Sequence, residues 1–259
     1  MPVQDLSHTP LRPPAWWVEL GSLLWIEFNN WRWSWRSMLV TGTLAPVLSI
    51  LGLGIFARDS GPLALAYVFT GNLVISLMFG NMGKIQSHMV FLRFQGTLDY
   101  FATLPVRRVV LLLAMLCAFL LLSIPPLLVT LLLGVLYLGV PLHIHPIIWL
   151  VIPLCAWPLS GIGALIGASA RTPEEAGAAN LIITLLLAGL GAVVVPPDRL
   201  PGWLVNLGYL SPAAYASSAL RQALLGPLTP RLGLDLGMLA GLGALIFWLV
   251  ARKLDWRGQ

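Results

Sequence analysis

Lysine is indispensable to a nucleotide-hydrolysing P-loop, and this sequence has only two lysines. Lys84 lies between Gly83 and Ile85, and Lys253 follows Arg252. Neither fits the G-x-x-x-x-G-K-[ST] pattern, in which backbone amides and a lysine hold the phosphates. The sequence also contains no HExxH and no GxSxG. It therefore predicts no catalytic residue, no bound cofactor and no ATP hydrolysis through a Walker motif in this chain.

The sequence also offers few residues that could bind a metal or transfer protons. His143 and His145 form a His-x-His pair without cysteine or carboxylate neighbours, so we expect no metal site there. The long apolar runs described below contain no Asp, Glu or His apart from Asp235 near one end. Proton-coupled transporters place such groups near the middle of the membrane. Any work that this protein does is therefore expected to draw its energy from a partner.

The segment best suited to receive that energy is FLRFQGTLDYFATLPVRR, residues 91–108. Gly96 can begin a short helix, Asp99 in the first turn suits the positive end of the helix dipole, and Pro105 stops it. Arg107 and Arg108 would then anchor the next apolar run at the membrane face. The pattern predicts a short rigid helix, and the alternative is an ordinary ordered loop.

Long charge-free runs flank this segment on both sides. The chain is 58% hydrophobic and only 10% charged, whereas a soluble domain carries about a quarter charged residues. Roughly 20 apolar residues in a helix cross a ~30 Å hydrocarbon core, and the continuous apolar runs exclude a barrel. We expect an all-α integral membrane protein with six transmembrane helices. The predicted spans are residues 38–56, 63–82, 109–137, 147–168, 178–195 and 232–251.

The basic residues orient these spans. With six crossings, eleven Lys and Arg residues fall on the side of the termini and four on the other side. The excess predicts that both termini are cytoplasmic, in a multi-pass protein of the cell membrane. The basic balance therefore indicates topology and not nucleic-acid binding. Residues 1–15 are expected to form a mobile tail, residues 16–251 one transmembrane domain, and residues 252–259 a second tail.

Residues 16–36 differ from the spans, because six of the eleven tryptophans lie there. Tryptophan prefers the headgroup boundary, so the segment is predicted to be a helix lying in the cytoplasmic interface, in contact with lipid. The alternative is a frayed extension of the first span. The stripe at helical spacing consists of Trp17, Leu20, Leu24, Phe28, Trp31 and Trp35.

Two further features concern the inside of the bundle and its outer end. Asn72 and Asn81 lie in the second predicted span and Ser160 in the fourth. The two amides are expected either to make helix–helix hydrogen bonds or to line a wet translocation path, and the first is favoured. Residues 202–210 and 212–225 are helical in composition but too short to cross. They predict an external re-entrant hairpin between the fifth and sixth spans.

Taken in order, these features resemble the ABC type-2 exporter permeases over roughly residues 16–251. The segment GTLDYFATLPVRR is similar to the family's coupling segment, with Asp99 where many relatives carry Glu. The coupling residues that match are Gly96, Thr97, Leu98, Asp99, Phe101, Leu104, Pro105, Arg107 and Arg108. The hairpin residues that match are Pro197, Leu200, Pro201, Trp203, Ser211, Pro212, Tyr215 and Arg221.

The resemblance implies half of a transporter. Two such permeases, identical or paralogous, would pair in the lipid, and two separate ATPase subunits would bind ATP and Mg. Residues 96–104 would be the coupling helix, residues 16–36 the connecting helix, and the hairpin a cap on the pathway. The charge-poor spans favour export of a hydrophobic or amphipathic, drug-like or lipid-like compound. Export of a polysaccharide or glycolipid, and a scaffold protein without transport activity, are the alternatives, and an intramembrane enzyme is the least favoured.

Overall fold

The computed structural model describes residues 15–31, 35–97, 101, 103, 107–189 and 193–253. No strand occurs within these residues, which confirms the all-α prediction for the described part of the chain. Both predicted tails lie outside it, apart from Ala15, Arg252 and Lys253. The helices are α1 (Trp16–Trp31), α2 (Trp35–Asp59), α3 (Pro62–Leu77), a π-helical turn (Met78–Met82), α4 (Gly83–Phe94), α5 (Arg108–Leu138), α6 (Ile148–Ser169), α7 (Pro173–Gly189), a 3-10 turn (Pro197–Arg199), α8 (Gly202–Gly208), α9 (Pro212–Leu225) and α10 (Arg231–Lys253).

Five helices are long and apolar enough to cross a membrane. They are Leu39–Asp59, Pro62–Phe94, Val109–Leu138, Ile148–Ser169 and Arg231–Lys253. The predicted fifth span, residues 178–195, overlaps α7, which has seventeen described helical residues and is not among the five. Residues 190–192, which follow α7, are outside the described set. The predicted fifth span, and with it the total of six, therefore stays a prediction.

Two opposite ends of the bundle can be defined from contacts between loops. At one end, the Arg199 Nη1 donates to the Ser60 Oγ at 2.9 Å, which joins the 3-10 turn to the α2–α3 turn. The backbone N–H of His143 donates to the Leu224 carbonyl at 2.8 Å, which joins the α5–α6 loop to α9. We call this the hairpin end, after α8 and α9 (residues 202–225). The other, or α1, end carries α1 and the α4–α5 and α6–α7 connections.

The second span is one continuous helix of 33 residues, Pro62–Phe94, interrupted by a π-helical turn. At ~1.5 Å per residue it measures about 50 Å, so it extends well beyond a ~30 Å hydrocarbon core. The predicted boundary at residue 82 coincides with the end of the π turn, and the helix itself continues through α4. The chain enters the α4–α5 connection only after Phe94.

Close backbone approaches surround the π turn. A Cβ atom built on Gly163 of α6 would lie 2.2 Å from the Met82 carbonyl oxygen, a distance that no side chain can occupy. On the other side, the Ser76 Oγ donates to the Gly42 carbonyl of α2 at 3.2 Å. Small residues allow such contacts between helices in lipid, where van der Waals packing replaces the hydrophobic effect. The π turn is therefore held from two sides.

Helix α9 is buried inside the bundle at the hairpin end and packs against α3, α6 and α10. One of its faces consists of Ala213, Ala216, Ala219 and Ala223, all with 0% exposure. The outer faces are different, because only 22% of the most apolar stretch of α2 and of α10 is buried. Exposed apolar surface of this extent must be covered by lipid or by another subunit.

The contact at Gly163 gives a stability prediction. Gly163→Ala should lower the melting temperature, because its methyl group must displace backbone, and overpacking costs roughly 1–3 kcal/mol. Gly241→Ala on α10 is the matched control, since a Cβ there meets nothing within 4 Å. It should leave the melting temperature unchanged or raise it. Melting is measured by size-exclusion chromatography of detergent-solubilised protein after heating. Equal melting temperatures for the two variants would contradict this packing.

Candidate functional site

The described part of the predicted coupling segment lies against α1. Gly96 has φ of +69°, a left-handed conformation that glycine adopts without strain, and it turns the chain out of α4. Thr97, Phe101 and Thr103 have helical backbone. Phe101 packs against the buried cluster that includes Leu23 of α1. Four of the matched coupling residues fall outside the described set, namely Leu98, Asp99, Leu104 and Pro105.

The start of α5 is held by a carboxylate from α1. Arg107 is the N-cap residue of α5, and its backbone N–H donates to Glu19 Oε1 at 2.5 Å. Glu19 is only 4% exposed. In a capping box the glutamate that accepts this N–H comes from the same helix, whereas here α1 supplies it. The positive end of the α5 dipole also favours a carboxylate at this position. The backbone position of Arg108 begins α5, and its side chain is not described.

A second carboxylate joins α1 to α4. Glu27 Oε1 lies 3.0 Å from His88 Nε2, and both side chains are largely buried. The His88 ring in turn lies 5.3 Å from the Phe119 ring of α5. Glu19 and Glu27 are two helical turns apart, with buried Leu23 between them. We call these three residues the carboxylate face of α1.

The predicted Trp and Leu stripe of α1 mostly points away from the protein. Trp17 is 63% exposed, Phe28 is exposed, and Leu20 and Leu24 are half-buried. Trp35 begins α2 and is also exposed, while the side chain of Trp31 is not described. The exposed aromatic rings are available to lipid, as expected of an interfacial helix. Sequence reasoning missed the carboxylate face, although the i, i+4, i+8 spacing of Glu19, Leu23 and Glu27 marks it.

The end of α4 is attached to the end of α6. The Arg93 Nη1 donates to the carbonyl oxygens of Ala168 at 3.0 Å and Ala170 at 2.7 Å. These carbonyls lie at the C-terminus of α6, where unpaired acceptors and the negative end of the dipole favour a cation. Residues 95–107 are therefore bracketed: α4 is held by Arg93 and His88 before them, and α5 by Glu19 after them.

At the hairpin end, the predicted residues occupy turns, helix starts and one cavity. Pro197 begins the 3-10 turn, Leu200 follows it, and Pro201 caps α8, on which Trp203 is exposed. Ser211 occupies the N-cap position of α9 without a capping hydrogen bond from its side chain, and Pro212 begins the helix. The Tyr215 hydroxyl donates to the Tyr209 carbonyl at 2.7 Å. Pro197, Tyr215 and Arg221 line one cavity of about 160 Å³. Burial raises the pKa of the Tyr215 hydroxyl and lowers that of the Arg221 guanidinium.

A buried aspartate that sequence reasoning placed near the interface lies beside this cavity. Asp235 of α10 is 1% exposed, and its Oδ2 accepts from the Ser218 Oγ at 2.6 Å and from the Gln222 Nε2 at 3.2 Å. The Arg231 Nε lies 3.9 Å from its Oδ1. A lone acid in an apolar run signals such a buried site, because carboxylates inside a membrane protein need partners.

The residues predicted for a translocation path are all inside the bundle. The Asn72 Nδ2 donates to the Val68 carbonyl at 2.7 Å, and the Ser160 Oγ to the Ala156 carbonyl at 2.6 Å. Asn81 sits in the π turn, and its side chain has no hydrogen-bond partner among the described residues. Ser160 borders an apolar groove of about 340 Å³ between α5 and α6, together with Cys117 and Trp157. The arrangement does not bring these three residues to one described cavity.

Comparison with known proteins agrees with this architecture. The sequence model of the family described as "ABC-2 type transporter" matches residues 18–225, which run from α1 to the end of α9. No curated protein matches the chain at a significant level. The match covers far more than half of the chain, and it includes the carboxylate face, the bracketed segment 95–107 and the hairpin. This chain therefore belongs to the ABC-2 type transporter family, as a multi-pass permease subunit whose family implies an ABC ATPase partner.

Proposed function

We propose that this chain is one permease half of an ATP-driven exporter. Two copies, or this chain and a paralogue, form the membrane unit, and two separate ATPase subunits bind ATP and Mg. The permease crosses the membrane six times with both termini in the cytoplasm. The observation that carries the proposal is the bracketing of residues 95–107 by polar contacts between helices, which would make this segment a lever attached to four helices.

The distribution of charge supports the orientation. Basic residues at the α1 end and along the helices that lead to it outnumber those at the hairpin end, as expected when the α1 end is cytoplasmic. The described residues on the α1 side are Arg36, Lys84, Arg93, Arg107, Arg108, Arg171, Arg252 and Lys253. Those at the hairpin end are Arg58, Arg199, Arg221 and Arg231. The segment 95–107 then faces the compartment that contains ATP.

The contacts at the α1 end suggest how force is passed on. A partner ATPase that pushes residues 95–107 moves α4 and α5 directly. Helix α1 follows through Glu19 and Glu27, and α6 follows through Arg93. Because interfaces of this kind rearrange as rigid bodies, the push tilts four helices together.

The middle of the bundle offers a place for these helices to bend. The π turn of Met78–Met82 lies beside Pro126, whose side chain would lie 3.8 Å from a Cβ on Gly80. Proline removes a backbone hydrogen bond and a π turn widens the helix, so both weaken the backbone ladder locally. Two spans therefore have their weak points at one depth, between the α1 end and the hairpin end.

The groove between α5 and α6 supports a hydrophobic or amphipathic substrate. Its lining is almost wholly apolar, and the hydroxyl of Ser160 has satisfied its donor within α6. A charged or strongly hydrated molecule would lose its water shell there without gaining partners. Export of a polysaccharide or glycolipid is therefore the second candidate, after export of a hydrophobic or amphipathic compound.

Export is tested with the cognate ATPase in proteoliposomes. We expect ATP-dependent accumulation of a lipophilic dye on the hairpin side, which disappears when the P-loop lysine of the ATPase is replaced. A scaffold protein would give the same signal with active and inactive ATPase. Labelling of single cysteines in a background of Cys117→Ala and Cys155→Ala checks orientation. Thr97→Cys should react only from the cytoplasm and Leu210→Cys only from outside, and the reverse pattern would refute the proposal.

The lever model predicts an uncoupled phenotype. Glu19→Ala removes the acceptor from the Arg107 N–H, and an unsatisfied buried donor costs about 1–3 kcal/mol. Transport should fall about tenfold, as 1.4 kcal/mol corresponds to a factor of ten, while the complex still assembles and hydrolyses ATP. Glu174→Ala is the matched control, because that glutamate is exposed in the first turn of α7. If both variants transported like the wild type, α1 would carry no force.

A further inference from the structure

The cavity at the hairpin end is built from polar side chains of four different elements. Tyr67 comes from α3, Tyr209 from the α8–α9 turn, Tyr215 and Arg221 from α9, and Arg231 from the start of α10. Its volume of about 160 Å³ suits a small polyatomic group with a few waters. These side chains give the cavity a polar and basic wall beside the alanine face of α9.

The Arg221 guanidinium carries more N–H donors than there are acceptor atoms around it. Its guanidinium carbon lies 3.6 Å from the centroid of the Tyr67 ring, so one face of the group is stacked. Its one hydrogen bond in the described structure is to the Thr70 Oγ1, at a long 3.4 Å. A guanidinium has five N–H donors, and the half-buried Arg221 lines the cavity with donors that have no partner among the described residues. An oxygen-rich ligand in the cavity would satisfy them.

The carboxylate of the neighbouring Asp235 already has hydrogen-bond and ion-pair partners. Asp235 accepts from Ser218 and Gln222, and its ion pair within 4.0 Å is with Arg231. The side chain of Arg231 is 65% exposed at the start of α10. The three charged groups at the cavity therefore sum to one positive charge, carried by the stacked Arg221. A planar, fixed guanidinium of this kind binds carboxylate and phosphate in a fork geometry.

We propose that this cavity, lined by Tyr67, Tyr209, Tyr215, Arg221 and Arg231, is a binding site for an oxyanion, of the phosphate type, carried on an amphiphile or free in solution. The cavity lies at the hairpin end, where the span-length helix α10 begins at Arg231. The site is a property of this chain alone. Binding is measured without the ATPase, so its outcome does not depend on the export proposal.

The test uses the full-length chain in nanodiscs of zwitterionic phosphatidylcholine. Octyl phosphate, inorganic phosphate and octyl glucoside are titrated separately, and dissociation constants are measured by thermophoresis. We expect octyl phosphate to bind and octyl glucoside not to bind. Binding of octyl phosphate alone would assign an amphiphile headgroup, and equal binding of inorganic phosphate would assign a free anion. Octyl glucoside binding as tightly as octyl phosphate would overturn the proposal.

Substitutions locate the site. Arg221→Gln should weaken binding of octyl phosphate about tenfold or more, since it removes charge-assisted hydrogen bonds. Arg231→Gln at the exposed mouth should weaken it less, without risk to folding. Asp235→Asn should strengthen it, because it removes a negative charge from the cavity.

Arg199→Gln is the matched control, since Arg199 lies at the same end and bonds to Ser60 outside the cavity. A loss of affinity in Arg199→Gln equal to that in the Arg221 and Arg231 variants would refute the site. Weaker binding in Asp235→Asn would refute it as well.

Discussion

Two buried carboxylates of helix α1 join it to α4 and α5 at the end of the bundle where we propose that the ATPase binds. A buried carboxylate is tolerated only when it is paired or hydrogen-bonded. Helix α1 must therefore lie where Glu19 and Glu27 can reach their partners on the neighbouring helices. Those partners are the first backbone donor of α5 and an imidazole on α4. Helix α1 is thus held in register with both α4 and α5, while its exposed tryptophans are available to lipid.

A second constraint acts in the interior of the bundle, where helices must pack against one another without the hydrophobic effect. Helices in lipid gain stability from close contact, and close contact needs small residues. Gly163 against the Met82 carbonyl and the alanine face of α9 are instances of it. The contact at Gly163 lies on the π turn, where the long helix Pro62–Phe94 departs from regular geometry. Tight packing and an irregular backbone thus occur together in the middle of the bundle.

Charged side chains at the two ends of the bundle differ in their contacts. At the α1 end, each described buried carboxylate and Arg93 has a partner from another helix. At the hairpin end, Asp235 is fully engaged, but Arg221 is left with stacking and one long hydrogen bond. The polar contacts at the α1 end join helices to one another, whereas the Arg221 guanidinium faces a cavity, where we propose that it binds a ligand.

The sequence by itself determined the helical class, the apolar spans and the family. Charge-free runs of about twenty residues have few solutions in lipid, and GTLDYFATLPVRR with the hairpin motifs supplied the resemblance that the family match confirms. Tertiary structure alone decided the polar contacts. In a helix at the membrane interface the apolar stripe can face lipid, so the spacing of Glu19 and Glu27 marks one face of α1 but not the helices that this face meets. Likewise, Arg221 meets Tyr67 and Asp235 meets Ser218 only through the folding of α9 into the bundle, because pairing between distant helices is set by their packing and not by local spacing.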